Sequence, residues 1–225
     1  MKDLLILHGA LGTAQLMEPL KEALAAKFKV HVLTFSGHGS QPFDPAGFGI
    51  ATFAKEVEGY LEQNGLQNIP VFGYSMGGYV ALYLELVRPG SFSQIVTLGT
   101  KFDWNPEAAQ HETARMVPAI IKEKVPQFAA LLAARHTDWE ALMEATAHMM
   151  RSLGESPLLN QENLRAIQTK TTILLGDADN MVSPEESKWA TERLKNGHFE
   201  LLENCHHPIE KVKAEMLSNK LISLF

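Results

Sequence analysis

The sequence predicts an α/β fold: a mostly parallel sheet of about six strands flanked by helices, with a helical lid inserted near its carboxyl edge. Three observations carry this expectation. Short apolar runs alternate with longer stretches of helical spacing, which is the pattern of βαβ units. A serine set between glycines, Gly73-Tyr74-Ser75-Met76-Gly77, joins one such run to one such helix. From about 101 to 168 the alternation stops, and only helical patterning remains.

Taken in order, Leu4–Leu7 is the first buried strand. Thr13 is expected to cap a helix running through Leu16, Leu20 and Leu24, and Val30–Phe35 to form the second strand. The turn Ser36-Gly37-His38-Gly39-Ser40 follows, where His38 reads as structural. Thr52 precedes Phe53, Val57 and Tyr60-Leu61 at helical spacing. Ile69–Gly73 is the third strand, and the helix Met76–Val87 after it is closed by Arg88-Pro89-Gly90. Ile95–Leu98 is the fourth strand. In the insertion, Phe128, Leu131 and Leu132 follow Pro126. Asp138 then caps a helix carrying Trp139, Leu142, Met143, Met149, Met150 and Leu153, ended by Gly154. Thr172–Leu175 is the fifth strand. Ser183-Pro184-Glu185-Glu186 is a capping box with proline at the first helical position. Phe199–Leu202 is the last strand, and a terminal helix is expected from about Ile209 to Phe225.

A chain of 225 residues builds one substantial core, so a single domain over 1–225 is expected. Helices inserted between two parallel strands belong at the carboxyl edge of the sheet, where open α/β sheets bind ligands. Residues of about 101–168 therefore read as a lid over a site. Its helix at Trp139, Leu142, Met143 and Met150 is expected to present the face that selects acyl size.

A net charge of −6 gives no electrostatic case for binding nucleic acid or an anionic membrane. A single cysteine, Cys205, excludes an internal disulfide framework. The run Leu4-Leu5-Ile6-Leu7 is too short for a signal peptide, and no apolar stretch approaches the ~18 residues of a membrane span. A soluble, cytoplasmic protein acting on a small molecule is the expectation. The oligomeric state is not readable.

The chemistry centres on Ser75. Small residues on both sides suit a tight strand-to-helix turn that pushes the hydroxyl outward. The following helix aims its first N–H groups at any developing negative charge. His8-Gly9-Ala10 follows the first strand, so the N–H groups of Ala10 and Met76 are the candidate oxyanion donors, and His8 reads as shaping the loop. Asp177 and Asp179 both follow the fifth strand. Asp177 can brace the turn, and Asp179 is better placed to reach a histidine. His206 and His207 follow the last strand. Adjacent side chains cannot easily share one ion, and no metal-binding spacing accompanies them, so a proton-shuttling role for one of them is expected and no metal.

Together these residues resemble the α/β-hydrolase superfamily, in its lid-bearing, single-domain serine hydrolase branch. The His8-Gly9 loop, the Gly37-His38-Gly39 turn, the Ser75 elbow, the Gly176-x-x-Asp179 turn and the histidine loop stand in that order, and the resemblance covers essentially the whole chain. It implies a triad of Ser75, Asp179 and His207, no cofactor, and hydrolysis of ester or thioester bonds through an acyl-enzyme. Relatives place the base about five residues beyond the last apolar residue of the strand, which favours His207. Counting back from Pro208 favours His206 instead. The chain departs from the pattern in three ways. It begins at what resembles the third strand, Tyr74 stands where many relatives have histidine, and His206 occupies a position often held by glycine. Two other outcomes are open. One is carbon–carbon bond hydrolysis or a lyase step on a carboxylated substrate, signalled by a lid base such as Arg115, Arg135 or Arg151. The other is a ligand-binding module without turnover.

Overall fold

The computed structural model describes residues 1–225. Six strands form one sheet: β1 (Lys2–Leu7), β2 (Phe28–Leu33), β3 (Ile69–Tyr74), β4 (Phe92–Leu98), β5 (Thr171–Ala178) and β6 (Gly197–His206). All are parallel, in the order β2-β1-β3-β4-β5-β6. The chain runs outward from β1 to β2, then crosses back to β3 and continues the other way. The loops leaving β1 and β3 therefore part at this reversal, and the crevice between them is where a parallel sheet offers a ligand site. The Ala10 loop and Ser75 stand on its two sides.

Ten helices complete the chain: α1 (Glu18–Leu24), α2 (Ile50–Gln63), α3 (Met76–Val87), α4 (Pro106–Thr113), α5 (Pro118–Lys124), α6 (Pro126–Arg135), α7 (Trp139–Glu155), α8 (Gln161–Ala166), α9 (Pro184–Thr191) and α10 (Ala214–Leu224). Helices cover both faces of the sheet, which is why its four inner strands read as largely apolar runs, while the edge strands β2 and β6 are mixed. In β1, Leu5 and Leu7 enter a core shared with Phe53, Val57, Val80 and Leu84 of α2 and α3. Leu4 and Ile6 point the other way, to Leu20 and Leu24 of α1 and Leu217 and Leu221 of α10. A third, small core lies wholly within the insertion, formed by Ile121, Ala129, Leu132, Trp139 and Met143.

The local signals hold at several points. The capping box closes reciprocally, the Glu186 N–H donating to Ser183 Oγ at 3.1 Å and the Ser183 N–H to Glu186 Oε1 at 2.9 Å. The other oxygen of Glu186 accepts from the N–H groups of Phe102 (2.9 Å) and Asp103 (2.8 Å), which ties α9 to the start of the insertion. The Asp138 side chain accepts from the Ala141 N–H, as a cap should.

Other boundaries differ for physical reasons. Thr13 caps nothing: a short 3₁₀ turn at Ala14–Met17 comes first, and the Ala14 N–H donates instead to Thr34 Oγ1 at 2.9 Å. The helix near Thr52 starts earlier, at Ile50, with Gly49 ahead of it. The terminal helix begins only at Ala214, after a 3₁₀ turn at Ile209–Lys211. Gly154 does not stop α7. A Cβ there would lie 2.5 Å from the Ala109 Cβ, so glycine lets α4 pack against the helix. The last strand runs past Leu202 to His206, because a register shift between Gly176 and Ala178 keeps β5 and β6 paired to their ends. A Cβ at Gly176 would fall 1.9 Å from the Cys205 carbonyl oxygen, so only glycine permits that pairing.

Candidate active site

Ser75 sits between β3 and α3 with φ 50° and ψ −115°, a strained conformation for a residue with a side chain. The turn holds through its surroundings. The Ser75 N–H donates to the Leu98 carbonyl at 2.8 Å, and its carbonyl accepts from Thr100 Oγ1 at 2.9 Å. Close backbone approach accounts for the flanking glycines. A Cβ at Gly73 would lie 2.4 Å from Gly78, and one at Gly77 would lie 2.4 Å from the Leu7 carbonyl oxygen. The second contact presses the start of α3 against the end of β1, so Ala10 and Met76 line one apolar pocket with Ser75. The N–H of Met76, first in its helix, has no intrahelical acceptor.

Asp179 and His207 come together from the ends of β5 and β6. His207 Nδ1 lies 2.7 Å from Asp179 Oδ2, and both side chains are buried. The other carboxylate oxygen accepts from the N–H groups of Met181 (2.8 Å) and Val182 (3.0 Å). Burial alone would push the Asp179 carboxyl up, toward its neutral form. The hydrogen bond and charge of His207 outweigh it, helped by the two N–H groups, and hold the carboxyl below its ordinary range. The Nδ1 contact leaves Nε2 of His207 available. No hydrogen bond joins His207 to the Ser75 hydroxyl in this structure, the one its ring makes being to Asp179.

Of the adjacent histidines, His207 reaches Asp179 while His206 is exposed on the strand. Asp177, placed after the strand by the sequence, lies within β5, which runs on to Ala178, and its Oδ1 accepts from the Cys205 N–H of β6 at 3.3 Å. Burial, then Asp179 and Asp177, push the Cys205 thiol up to about 11, so it stays protonated and unreactive at neutral pH.

Three features escaped the reading of the sequence. Gly99 follows β4 with φ +62°, and a Cβ there would lie 3.1 Å from Asp179 Oδ2 and 3.2 Å from His207 Nδ1. Leu98-Gly99-Thr100 looks like an ordinary strand end, and only a close contact some eighty residues away explains it. Tyr74 donates its hydroxyl to the His207 carbonyl at 2.7 Å. Lys101 lines the Ser75 pocket, with its ammonium 3.6 Å from both Glu112 and Glu186.

Three further histidines pack behind the Gly9-Ala10 loop. The Phe35 N–H donates to His8 Nε2 at 3.2 Å, so His8 carries its proton on Nδ1 and donates to the Gly9 carbonyl at 2.7 Å. Burial, with His38 beside it, pushes His8 down to about 3, and burial pushes His38 down to about 4. His136, at the end of α6, accepts from the Gly39 N–H (2.8 Å) and donates from Nε2 to the Leu11 carbonyl (3.0 Å). Arg135 donates to the same carbonyl at 3.0 Å and to Glu210 at 3.0 Å. Its guanidinium is therefore engaged, while Arg115 and Arg151 are exposed, and none of the three lines the Ser75 pocket.

The pocket at Ser75 has a volume of about 40 Å³, with Tyr79, Met149, Met150 and Leu153 among its walls. Of the α7 side chains expected to face it, Met150 does. Trp139 and Met143 turn instead into the insertion's own core, because α7 has α5 and α6 against that side. No group of three or more histidine, cysteine or acidic side chains lies close enough to hold a metal ion, and no helix is long and apolar enough to cross a membrane.

Residues 3–139 match the family model described as alpha/beta hydrolase fold. That span holds Ala10 and Ser75, and Asp179 and His207 lie beyond it. The chain is 27% identical, over 91% of its own length and 86% of the relative's, to a protein of Pseudomonas savastanoi pv. phaseolicola named as a candidate carbamate hydrolase, RutD. It is 23% identical to the pimeloyl-[acyl-carrier protein] methyl ester esterase of Nitrosospira multiformis, over 91% of this chain and 87% of that one. Among solved structures, the esterase EaEST of Exiguobacterium antarcticum superposes with a TM-score of 0.79 at 20% identity, covering 100% of this chain and 91% of the other.

Proposed function

Since the chain belongs to the alpha/beta hydrolase fold family, we propose that it is a serine hydrolase that cleaves ester or thioester bonds of a small or medium apolar acyl substrate. The observation that carries this reading is the 2.7 Å contact between His207 and Asp179, buried beside Gly99, with the His207 carbonyl bonded to Tyr74, the residue before Ser75. A buried imidazole held in one tautomer by a carboxylate is built to accept a proton at its other nitrogen. Names of relatives, esterases and hydrolases among them, point the same way.

His207 Nε2 takes the hydroxyl proton as Ser75 Oγ attacks the carbonyl carbon, and Asp179 steadies the imidazolium. The oxyanion is held by the N–H groups of Ala10 and Met76, each worth about 3 kcal/mol. Collapse breaks the bond to the leaving oxygen or sulfur, which His207 protonates. Water, deprotonated by the same imidazole, then releases the acid from Ser75. The hydroxyl and imidazole close to hydrogen-bond distance with substrate in place, since this contact is often loose in its absence. Residues of about 101–168 act as a lid within one domain, closing the acyl pocket with Met149, Met150 and Leu153. The small volume of that pocket favours short acyl groups. Arg115, Arg135 and Arg151 do not present the basic side chain that would signal chemistry on a carboxylated substrate, and Lys101, which does line the pocket, has its ammonium held between Glu112 and Glu186.

Turnover of a panel of p-nitrophenyl esters and acyl thioesters tests the reading. Activity that falls by on the order of 10⁶ in Ser75→Ala is expected. Undiminished hydrolysis in that variant, or none of any substrate by the natural protein, would remove it.

A further inference from the structure

The pocket at Ser75 is not the only apolar space that reaches these residues. A groove of about 400 Å³ opens on the other side of the oxyanion loop, against about 40 Å³ at Ser75. It is lined by Leu11, Leu16, Phe128, Leu131, His207 and Ile209 among others. Both spaces touch Ala10. Ser75 and Met76 line only the small one, and His207 lines only the groove.

That division has a chemical consequence. At the carbonyl attacked by Ser75, the oxygen must turn to the Ala10 and Met76 N–H groups. The leaving atom must come within hydrogen-bond reach of His207, which protonates it as the bond breaks. The acyl substituent takes the direction that remains, beside Ser75 and Met76. We infer that the groove receives the leaving group, so that the favoured substrates join a short acid to a long or bulky apolar alcohol or thiol. This rests on the acyl-transfer reading above and adds the polarity of the substrate across the site.

The walls of the groove fit that occupant. Phe128 and Leu131 stand three residues apart on α6, on the same helical face, and are 40% and 50% exposed. Apolar side chains this open beside a cleft are what an apolar ligand would cover. Of the charges at the rim, Arg135 is spent on Glu210 and the Leu11 carbonyl, and Lys211 makes no ion pair.

Two ester series assayed on the full chain decide the matter: acetates of alcohols from methanol to octanol, and methyl esters of acids from acetic to octanoic. The inference expects kcat/KM to rise with alcohol length, by up to about fourfold per methylene, and to level off or fall with acid length. Leu131→Gln changes an exposed position, and should lower the octyl-to-methyl acetate ratio by about fivefold or more. Met150→Ala should leave that ratio alone and admit longer acids. A preference for long acids over long alcohols, or an octyl-to-methyl ratio unmoved in Leu131→Gln, overturns the groove assignment while leaving the hydrolase reading intact. No Ser75-dependent turnover in either series overturns both.

Discussion

Two sets of buried histidine stand near the Gly9-Ala10 loop. His207 faces the Asp179 carboxylate at 2.7 Å, whereas His8 and His38 face each other, with ring centroids 4.9 Å apart, and His136 closes the group at 6.0 Å from His38. Burial pushes His8, His38 and His136 down. Without a counter-charge it keeps the imidazole neutral, and such a ring is useful as a fixed donor and acceptor: His8 joins the Gly9 carbonyl to the Phe35 N–H, and His136 joins Leu11 to Gly39. Beside a carboxylate, the same ring can take a proton and give it back. What sets His207 apart from the three bracing histidines is therefore its carboxylate partner, which is why the proposed reading makes it the base.

The strongest way to break the comparison is to exchange the roles by substitution. His207→Gln should lower kcat on a good ester by several orders of magnitude, while His206→Gln, on the exposed strand position, should cost less than about tenfold. The opposite pattern in steady-state kinetics would move the base to His206.

A second prediction reads the braces through pH. The folded forms of His8 and His38 are held well below the ordinary histidine value, to about 3 and about 4. Below about pH 6.5 the unfolded chain takes up protons that the folded one refuses, so stability is complete above that pH and is lost as pH falls toward 4. Between pH 7 and 5 the loss should be on the order of 2 to 4 kcal/mol. His38→Phe, whose ring can sit against Phe48 and Phe53, should reduce that slope in denaturant titrations at several pH values, with turnover at pH 8 close to that of the natural protein. An unchanged slope would mean that the histidine group is not what titrates.

The smallest effect is expected at Tyr74. Tyr74→Phe removes the hydroxyl that holds the His207 carbonyl at 2.7 Å and leaves that acceptor short of a partner, at a cost of about 1 to 3 kcal/mol in stability. The position of the base should suffer slightly, so kcat should fall by up to about tenfold with KM little changed. Equal loss in both parameters would place Tyr74 on the substrate instead.

How far the sequence reveals all this depends on how local each signal is. The Ser75 elbow is visible because its glycines, its apolar strand and its amphipathic helix are contiguous. The capping box at Ser183 is visible for the same reason. The four inner strands stand out because burial on both faces makes each a largely apolar run, whereas the edge strands β2 and β6 are more exposed and mixed, and strand ends are hard to place: Leu202 looks like the end of β6, and pairing with β5 carries it on to His206. His8 and His38 read as structural residues of their loops, and Tyr74 as a departure from the pattern, but Gly99, the Tyr74 hydroxyl contact and the joining of His8, His38 and His136 into one group are invisible to such reading, because each has meaning only through residues distant in the chain, 133 positions away for Tyr74. Met143 misleads for a related reason. Helical spacing marks it as buried, and which neighbour buries it is decided by α5 and α6.

The central claim is that Ser75 is activated by the histidine that has a carboxylate partner. A fluorophosphonate probe, followed by intact mass and peptide mapping, tests it most directly. The account predicts one label per chain, on Ser75, absent in Ser75→Ala, slowed by orders of magnitude in His207→Gln and nearly unaffected in His206→Gln. Stoichiometric labelling that persists in Ser75→Ala, or proceeds at the natural rate in His207→Gln, would contradict it.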